Sequence, residues 1–232
     1  MLFRSILGLA EKQELDVLYL GFEIFDLKGE SVWQTDYSTL EGQLYDGVEG
    51  YFAPRGFDIR DPDRSWAILY RSALLQQFDI TYPKDVPYLE DGLFLAKVFT
   101  VATKVMFYDS IFYQRTTRIG SATNSRLFYS DHAIQGFIKA VQNVKEFGNR
   151  NYLNSEQKKL VNHTIAKFVL LALSPSMLTF NFSEYFKTII VLKNFGLEKL
   201  NTEGLRFLYK RHIEMYNISK LFFPIYFRLS NR

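Results

Sequence analysis

Near Leu127 the spacing of apolar residues changes, and with it the kind of fold the chain can adopt. Before that point the strongest signal is residues 16–25, almost continuously apolar on its left side, as in a strand covered on both faces. Residues 31–34 are a candidate partner strand beyond the Lys28-Gly29 turn. After that point apolar residues recur three and four apart. Ile134, Phe137, Val141 and Val144 make one such stripe, and Val161, Ile165, Phe168 and Ala172 another. Tyr185, Ile189 and Leu192 make a third, and Leu205, Leu208, His212 and Tyr216 a fourth. The expected architecture is α/β, a partial mixed sheet with flanking helices over 1–126, followed by an all-helical domain over 127–232.

Charge follows the same division. Residues 1–125 carry 12 Lys/Arg against 18 Asp/Glu, whereas 126–232 carry 16 against 7. The net charge of +3 therefore joins an acidic part to a basic one, which suggests two different jobs. Cysteine is absent. That excludes a disulfide framework, a thiolate nucleophile, a Cys-based zinc site and an iron–sulfur cluster. Strictly apolar runs such as 168–173 fall far short of the roughly 18–20 residues of a bilayer helix. The first ten residues faintly resemble a signal peptide, but the apolar stretch is short and Glu11, Lys12 and Glu14 follow at once. A cytoplasmic location is expected, with contact at the inner face of the membrane.

Finer signals set further expectations. Residues 1–12 read as a helix with Leu2, Ile6 and Leu9 on one face, and 39–50 is ambiguous. Ala53-Pro54-Arg55-Gly56 and 83–87 read as loops, and 66–78 and 90–99 as helices. Residues 104–108 and 111–113 read as two short strands. Ser155 and Ser183 are expected N-caps, and Gly148 and Gly196 expected helix stops.

The common phosphate-binding loops and the serine-nucleophile elbow are missing from the sequence. His132, His163 and His212 stand too far apart for a local metal motif and are expected on helix surfaces or edges. The pair Glu90-Asp91 follows a proline-rich loop where a helix should begin. Two readings are open: carboxylates stabilised by the free N–H groups of a helix N-terminus, or a general base at the lip of a cleft.

The order of surrounding blocks bears on that choice. Trp66-Ala-Ile-Leu-Tyr70-Arg71 is followed by Phe78-Asp-Ile-Thr-Tyr82-Pro83, then Tyr88-Leu-Glu90-Asp91-Gly-Leu-Phe94. Ile111-Phe-Tyr113-Gln-Arg115 and Arg118-Ile-Gly-Ser121 close the series. This succession resembles the acceptor-side half of family 2 glycosyltransferases of the GT-A fold. The likeness covers about half the chain, and residues 61–121 carry nearly all its specificity. It implies that Asp91 is the catalytic base of an inverting in-line displacement, with Glu90 shaping the helix entrance. It implies a nucleotide-sugar donor and a glycan or lipid-linked acceptor, in cell-surface polysaccharide synthesis. Trp66 and Tyr70 then resemble acceptor-side aromatics, with core anchoring the equal alternative for Trp66. Arg115 and Arg118 resemble phosphate-holding guanidiniums, or else solvated loop arginines.

The sequence departs from the family at its start. The nucleotide-binding strand and the Asp-x-Asp motif that holds Mg²⁺ or Mn²⁺ under the diphosphate are not found where the family has them. Asp61-Pro62-Asp63 matches the string but lies on the acceptor side, where it reads as a turn. No metal ligand is assigned. The expectation is a chain incomplete for donor binding, as a fragment, a truncated gene model or half of a split enzyme.

Residues 199–232 hold seven Lys/Arg and two Asp/Glu interleaved with aromatics. A packed terminal helix, an interfacial segment on anionic lipid and a single-strand nucleic-acid surface all fit this pattern, and nucleic acid is not among the expected partners. The rival to the enzyme reading is a non-catalytic helical module that binds a membrane surface or a partner protein.

Overall fold

The apolar run after Asp16 becomes β1 (Val17–Phe25) in the computed structural model, which describes residues 2–55, 63–116 and 130–230. The architecture is mixed α/β. Contacts divide the chain into two units, Met1–Tyr82 with Phe94–Asn124, and Pro83–Leu93 with Ser125–Arg232.

In the first unit β1 is the central strand. The long strand β4 (Val105–Thr116) runs parallel along its whole length. The other edge is shared, with β3 (Ile68–Tyr70) antiparallel to Val17–Tyr19 and β2 (Ser31–Gln34) antiparallel to Glu23–Phe25. The two short strands expected over 104–113 are one strand. Its register slips because Asp109 and Ser110 bulge out between the Leu20–Tyr108 and Gly21–Ile111 pairs. Gly21 permits this, since a Cβ there would lie 2.5 Å from the Ser110 carbonyl oxygen. Helix α1 (Leu2–Gln13) covers one face of the sheet, where Ile6 joins Leu15, Leu18, Leu20 and Met106 in a buried cluster. On Tyr19 converge the rings of Tyr37, Phe99 and Phe107, at centroid distances of 5.2–6.2 Å.

A helix expected in this unit needs correction. Residues 66–78 are not one helix: Ile68–Tyr70 pairs with β1, and only α3 (Ser72–Gln77) is helical. Ala67 adopts φ +54, which breaks any helix through Trp66, and the Ile-Leu-Tyr triplet satisfies its backbone on β1 instead. The ambiguous stretch ends in α2 (Gly47–Phe52), capped by Asp46, which accepts a hydrogen bond from Glu49 N at 2.8 Å. Asp16, nearly fully buried, ties the start of β1 to its surroundings. It pairs with Arg71 at 2.5 Å and accepts from Thr103 N, Thr103 Oγ1 and Lys104 N.

The second unit contains α5 (Asp131–Gly148), α6 (Ser155–Leu178), α7 (Phe182–Asn194), α8 (Phe207–Ile218) and α9 (Phe223–Ser230). The α5 stripe is buried throughout, and Gly148 closes that helix as expected. Asn154 and Asn181, not Ser155 and Ser183, are the N-caps of α6 and α7. Asn154 also forms a capping box with Gln157, a stronger arrangement than a serine one position later. The fourth stripe is only partly inward: His212 and Tyr216 are buried, but Leu208 faces out and Ile213 takes the core position. His163 and His212 are buried, contrary to the surface placement expected, because each ring packs against aromatics, Tyr209 for His163 and Tyr226 and Phe227 for His212. By length and hydropathy α6 could cross a bilayer, but 72% of its most apolar window is buried inside the protein, as in a core helix.

Tyr185 and Tyr216 anchor the helical core, their hydroxyls donating to the Lys220 and Leu197 carbonyls at 2.9 Å each. Burial pushes both phenols well above their ordinary value of 10.0; Tyr216 adds to the effect on Tyr185, and Glu198 to that on Tyr216. In the unfolded chain both ionise near pH 10, while the folded state keeps their protons. The stability they confer is thus complete below pH 10 and falls as pH rises above it. In an alkaline titration these two tyrosines are expected to ionise together with loss of the helical circular dichroism. Smooth, independent titration of all 15 tyrosines near pH 10, with the helices intact, would contradict this.

Candidate active site

Glu90 and Asp91 form the first turn of α4 (Glu90–Val101), the position that favours carboxylates. The approach to that turn is tightly held. Val86 and Leu89 are buried. Pro87 sits against α5 at Gly136, where a Cβ would lie 2.7 Å from the proline ring and 3.0 Å from its carbonyl oxygen. Tyr88 adopts φ +69, a left-handed conformation that costs a bulky residue about 1–3 kcal/mol and turns the chain into the helix. Asp91 is half-buried, and Glu90 Oε2 is buried with no hydrogen-bond partner among the described residues. A carboxylate placed on a rigid helix start, behind a strained residue, is suited to accept a proton from a bound hydroxyl.

In the sheet unit Trp66 and Arg115 lie together. The Trp66 ring meets Phe22 edge-on at 4.7 Å and Tyr113 at 4.9 Å. The guanidiniums of Arg64 and Arg115 stand 5.3 and 5.6 Å from its centroid. Trp66 is therefore flanked on several sides, while Tyr113, 41% exposed, is the more open ring of the group. Tyr70, at the end of β3, packs edge-on against Phe94 at 5.2 Å. Arg118, Ser121, Asp61 and Pro62 lie outside the described residues.

Sequence reasoning overlooked Arg64. It is fully buried and donates to the carbonyls of Trp66, Ala67 and Leu20 and to the Tyr37 hydroxyl. A lone arginine beside a tryptophan carries no pattern that would have marked it. Gly136 had a readable signal, a glycine inside a helical stripe, but Tyr88 had none.

Among the described residues, no group of three or more His, Asp or Glu is placed to hold a metal ion. Asp63 is turned to Arg55, 3.3 Å away, with both side chains almost wholly buried.

No protein-family model and no curated protein sequence matches the chain. Solved structures do. S. aureus TarS (residues 1–349) in complex with UDP-GlcNAc aligns with 98% of this chain at 14% identity and a TM-score of 0.56. A second structure of S. aureus TarS (residues 1–349) aligns with 98% at 15% identity and a TM-score of 0.54. The fold is glycosyltransferase-like. At this identity the likeness concerns the fold alone. The chain spans 64% and 62% of the lengths of those two neighbours, just under two thirds.

Proposed function

We propose that the chain serves an inverting, family 2-type glycosyltransferase, which moves a sugar from a nucleotide-sugar donor to a glycan or lipid-linked acceptor in cell-surface polysaccharide synthesis. The observation that carries this reading is the alignment of nearly the whole chain with a structure that holds UDP-GlcNAc. Glu90 and Asp91 at the start of α4 supply the chemistry.

In the proposed step an acceptor hydroxyl attacks the anomeric carbon in line with the departing diphosphate. The new oxygen–carbon bond forms as the carbon–oxygen bond to the β-phosphate breaks. That bonding pair leaves with the nucleoside diphosphate, and the hydroxyl proton passes to a carboxylate oxygen of Asp91. A carboxylate suffices because the hydroxyl becomes acidic only as its bond to carbon forms. Glu90 shapes the entrance to α4. Trp66 and Tyr70 are proposed to face sugar, and Arg115 and Arg118 to hold phosphate oxygens. The complete enzyme is proposed to use Mg²⁺ or Mn²⁺, for which we assign no ligand in this chain, and to act in the cytoplasm.

Binding of UDP-sugars tests the reading directly, by calorimetric titration of this chain and of this chain joined to a nucleotide-binding N-terminal half. Saturable binding in at least one form, with release of nucleoside diphosphate when acceptor glycan is added, is the expected result. Absence of binding and of release in both would leave the helical interaction module as the better account.

A further inference from the structure

Helix α9 is apolar on two sides and packed on only one. Phe223 is fully buried, 5.7 Å from the Tyr216 ring, and Phe227 lies 5.2 Å from His212. His212 Nε2 and Ser230 Oγ, 3.1 Å apart, complete the attachment to α8. On the other side Leu221, Phe222, Ile225 and Leu229 are 59%, 61%, 47% and 65% exposed. Ile225 and Leu229 are four residues apart on α9 and share one face, and Leu221 and Phe222 lie in the turn that leads into it. Such a contiguous outward row costs solubility unless something covers it.

The charges beside the row indicate what does. Arg228 is held by the Leu178 carbonyl at 3.1 Å and lies 4.2 Å over the Phe180 ring, so its guanidinium stays next to the row. Lys220 turns the other way, its ammonium donating to the Tyr216 carbonyl and lying 3.6 Å over the Tyr216 ring, which packs on Phe223. The last 17 residues of the sequence contain no Asp or Glu. We propose that this row is a membrane-docking face whose occupant is a bilayer surface carrying anionic lipid. The apolar row enters the boundary between headgroups and acyl chains, and the Arg228 guanidinium meets the lipid phosphates. With eight residues, roughly 12 Å, α9 is far too short to span a bilayer and lies in the plane of the interface. A second copy of the chain is a poorer occupant. Two-fold pairing through this row would bring a second Arg228 into the same interface, whereas anionic lipid neutralises it. The proposal stands independently of sugar transfer.

The test is co-sedimentation of the full chain with phosphatidylcholine vesicles, with and without phosphatidylglycerol. Binding is expected only with the anionic lipid, and it should weaken several-fold in high salt. The combined variant Leu221→Ser, Ile225→Ser, Leu229→Ser should lower the partition at least about tenfold, with circular dichroism and melting temperature unchanged. An Ile225→Trp variant gives a second readout, a blue shift of its emission on anionic vesicles relative to the parent. No binding to anionic vesicles, no blue shift, or equal binding by the serine variant would overturn the proposal. So would loss of a concentration-dependent dimer in the serine variant, which would assign the row to a second copy. Loss of salt-sensitive oligonucleotide binding in that variant would likewise overturn it, in favour of a single-stranded nucleic acid.

Discussion

Asp91→Asn is expected to lower turnover by about 10²–10⁴-fold, with donor affinity close to that of the parent. The substitution keeps the shape of the side chain at the first turn of α4 and removes its ability to take a proton. Because Asp91 is proposed to act as the acceptor oxygen bonds to carbon, the loss belongs in kcat, not in donor binding. The reading requires a form of the protein that turns over sugar nucleotide, and the same preparation should show unchanged circular dichroism. Retained turnover in a folded Asp91→Asn protein would remove the base assignment and return this carboxylate to the role of stabilising a helix N-terminus. The scaffold around it makes that outcome interpretable. Pro87 seated on Gly136 and the left-handed turn at Tyr88 define the helix start.

Arg64→Met is expected to destabilise the protein by about 3–5 kcal/mol, the range found when a buried charged network loses one member. Methionine fills much of the same space but donates nothing. Arg64 donates to three backbone carbonyls and one hydroxyl, at 2.7–3.3 Å, and lies 4.5–5.3 Å from the rings of Tyr19, Phe22 and Trp66. Losing the guanidinium, itself wholly buried, leaves those acceptors short of a donor. For a chain of this size the melting temperature should fall by roughly 10 °C. Arg64→Lys should recover little, because an ammonium cannot reach diverging acceptors as a planar fork does. Urea unfolding of both variants measures the effect, and a loss below about 1 kcal/mol for Arg64→Met would show that the network is not a structural keystone.

Much of the fold could be read along the chain because it rests on local pattern. The run that became β1 was readable from its uninterrupted apolar residues, and α5 from the three-and-four spacing of Ile134, Phe137, Val141 and Val144. The start of α4 was readable from carboxylates after a proline-rich loop. The failures share a cause. Residues 66–71 look helical by composition, but the three residues 68–70 gain their hydrogen bonds from β1, some fifty residues earlier. The break between the two expected strands at 104–113 is a bulge whose reason, the bare backbone of Gly21, sits on another strand. Leu208 fits its stripe in number but not in space, since Ile213 occupies the core position.

The candidate site divides in the same way. Position after a proline-rich loop singled out Glu90 and Asp91, and the resemblance in block order named Trp66, Tyr70, Arg115 and Arg118 as candidates beside them. The absence of cysteine also excluded thiolate chemistry. Tertiary structure decided that Trp66 and Arg115 share one cluster with Tyr113, and that a buried Arg64 supports it. It also decided that residues 83–93 pack with the helical unit, and that α9 leaves one apolar side uncovered. Periodicity registers which residues avoid water, whereas which partner covers them depends on contacts between segments far apart in sequence.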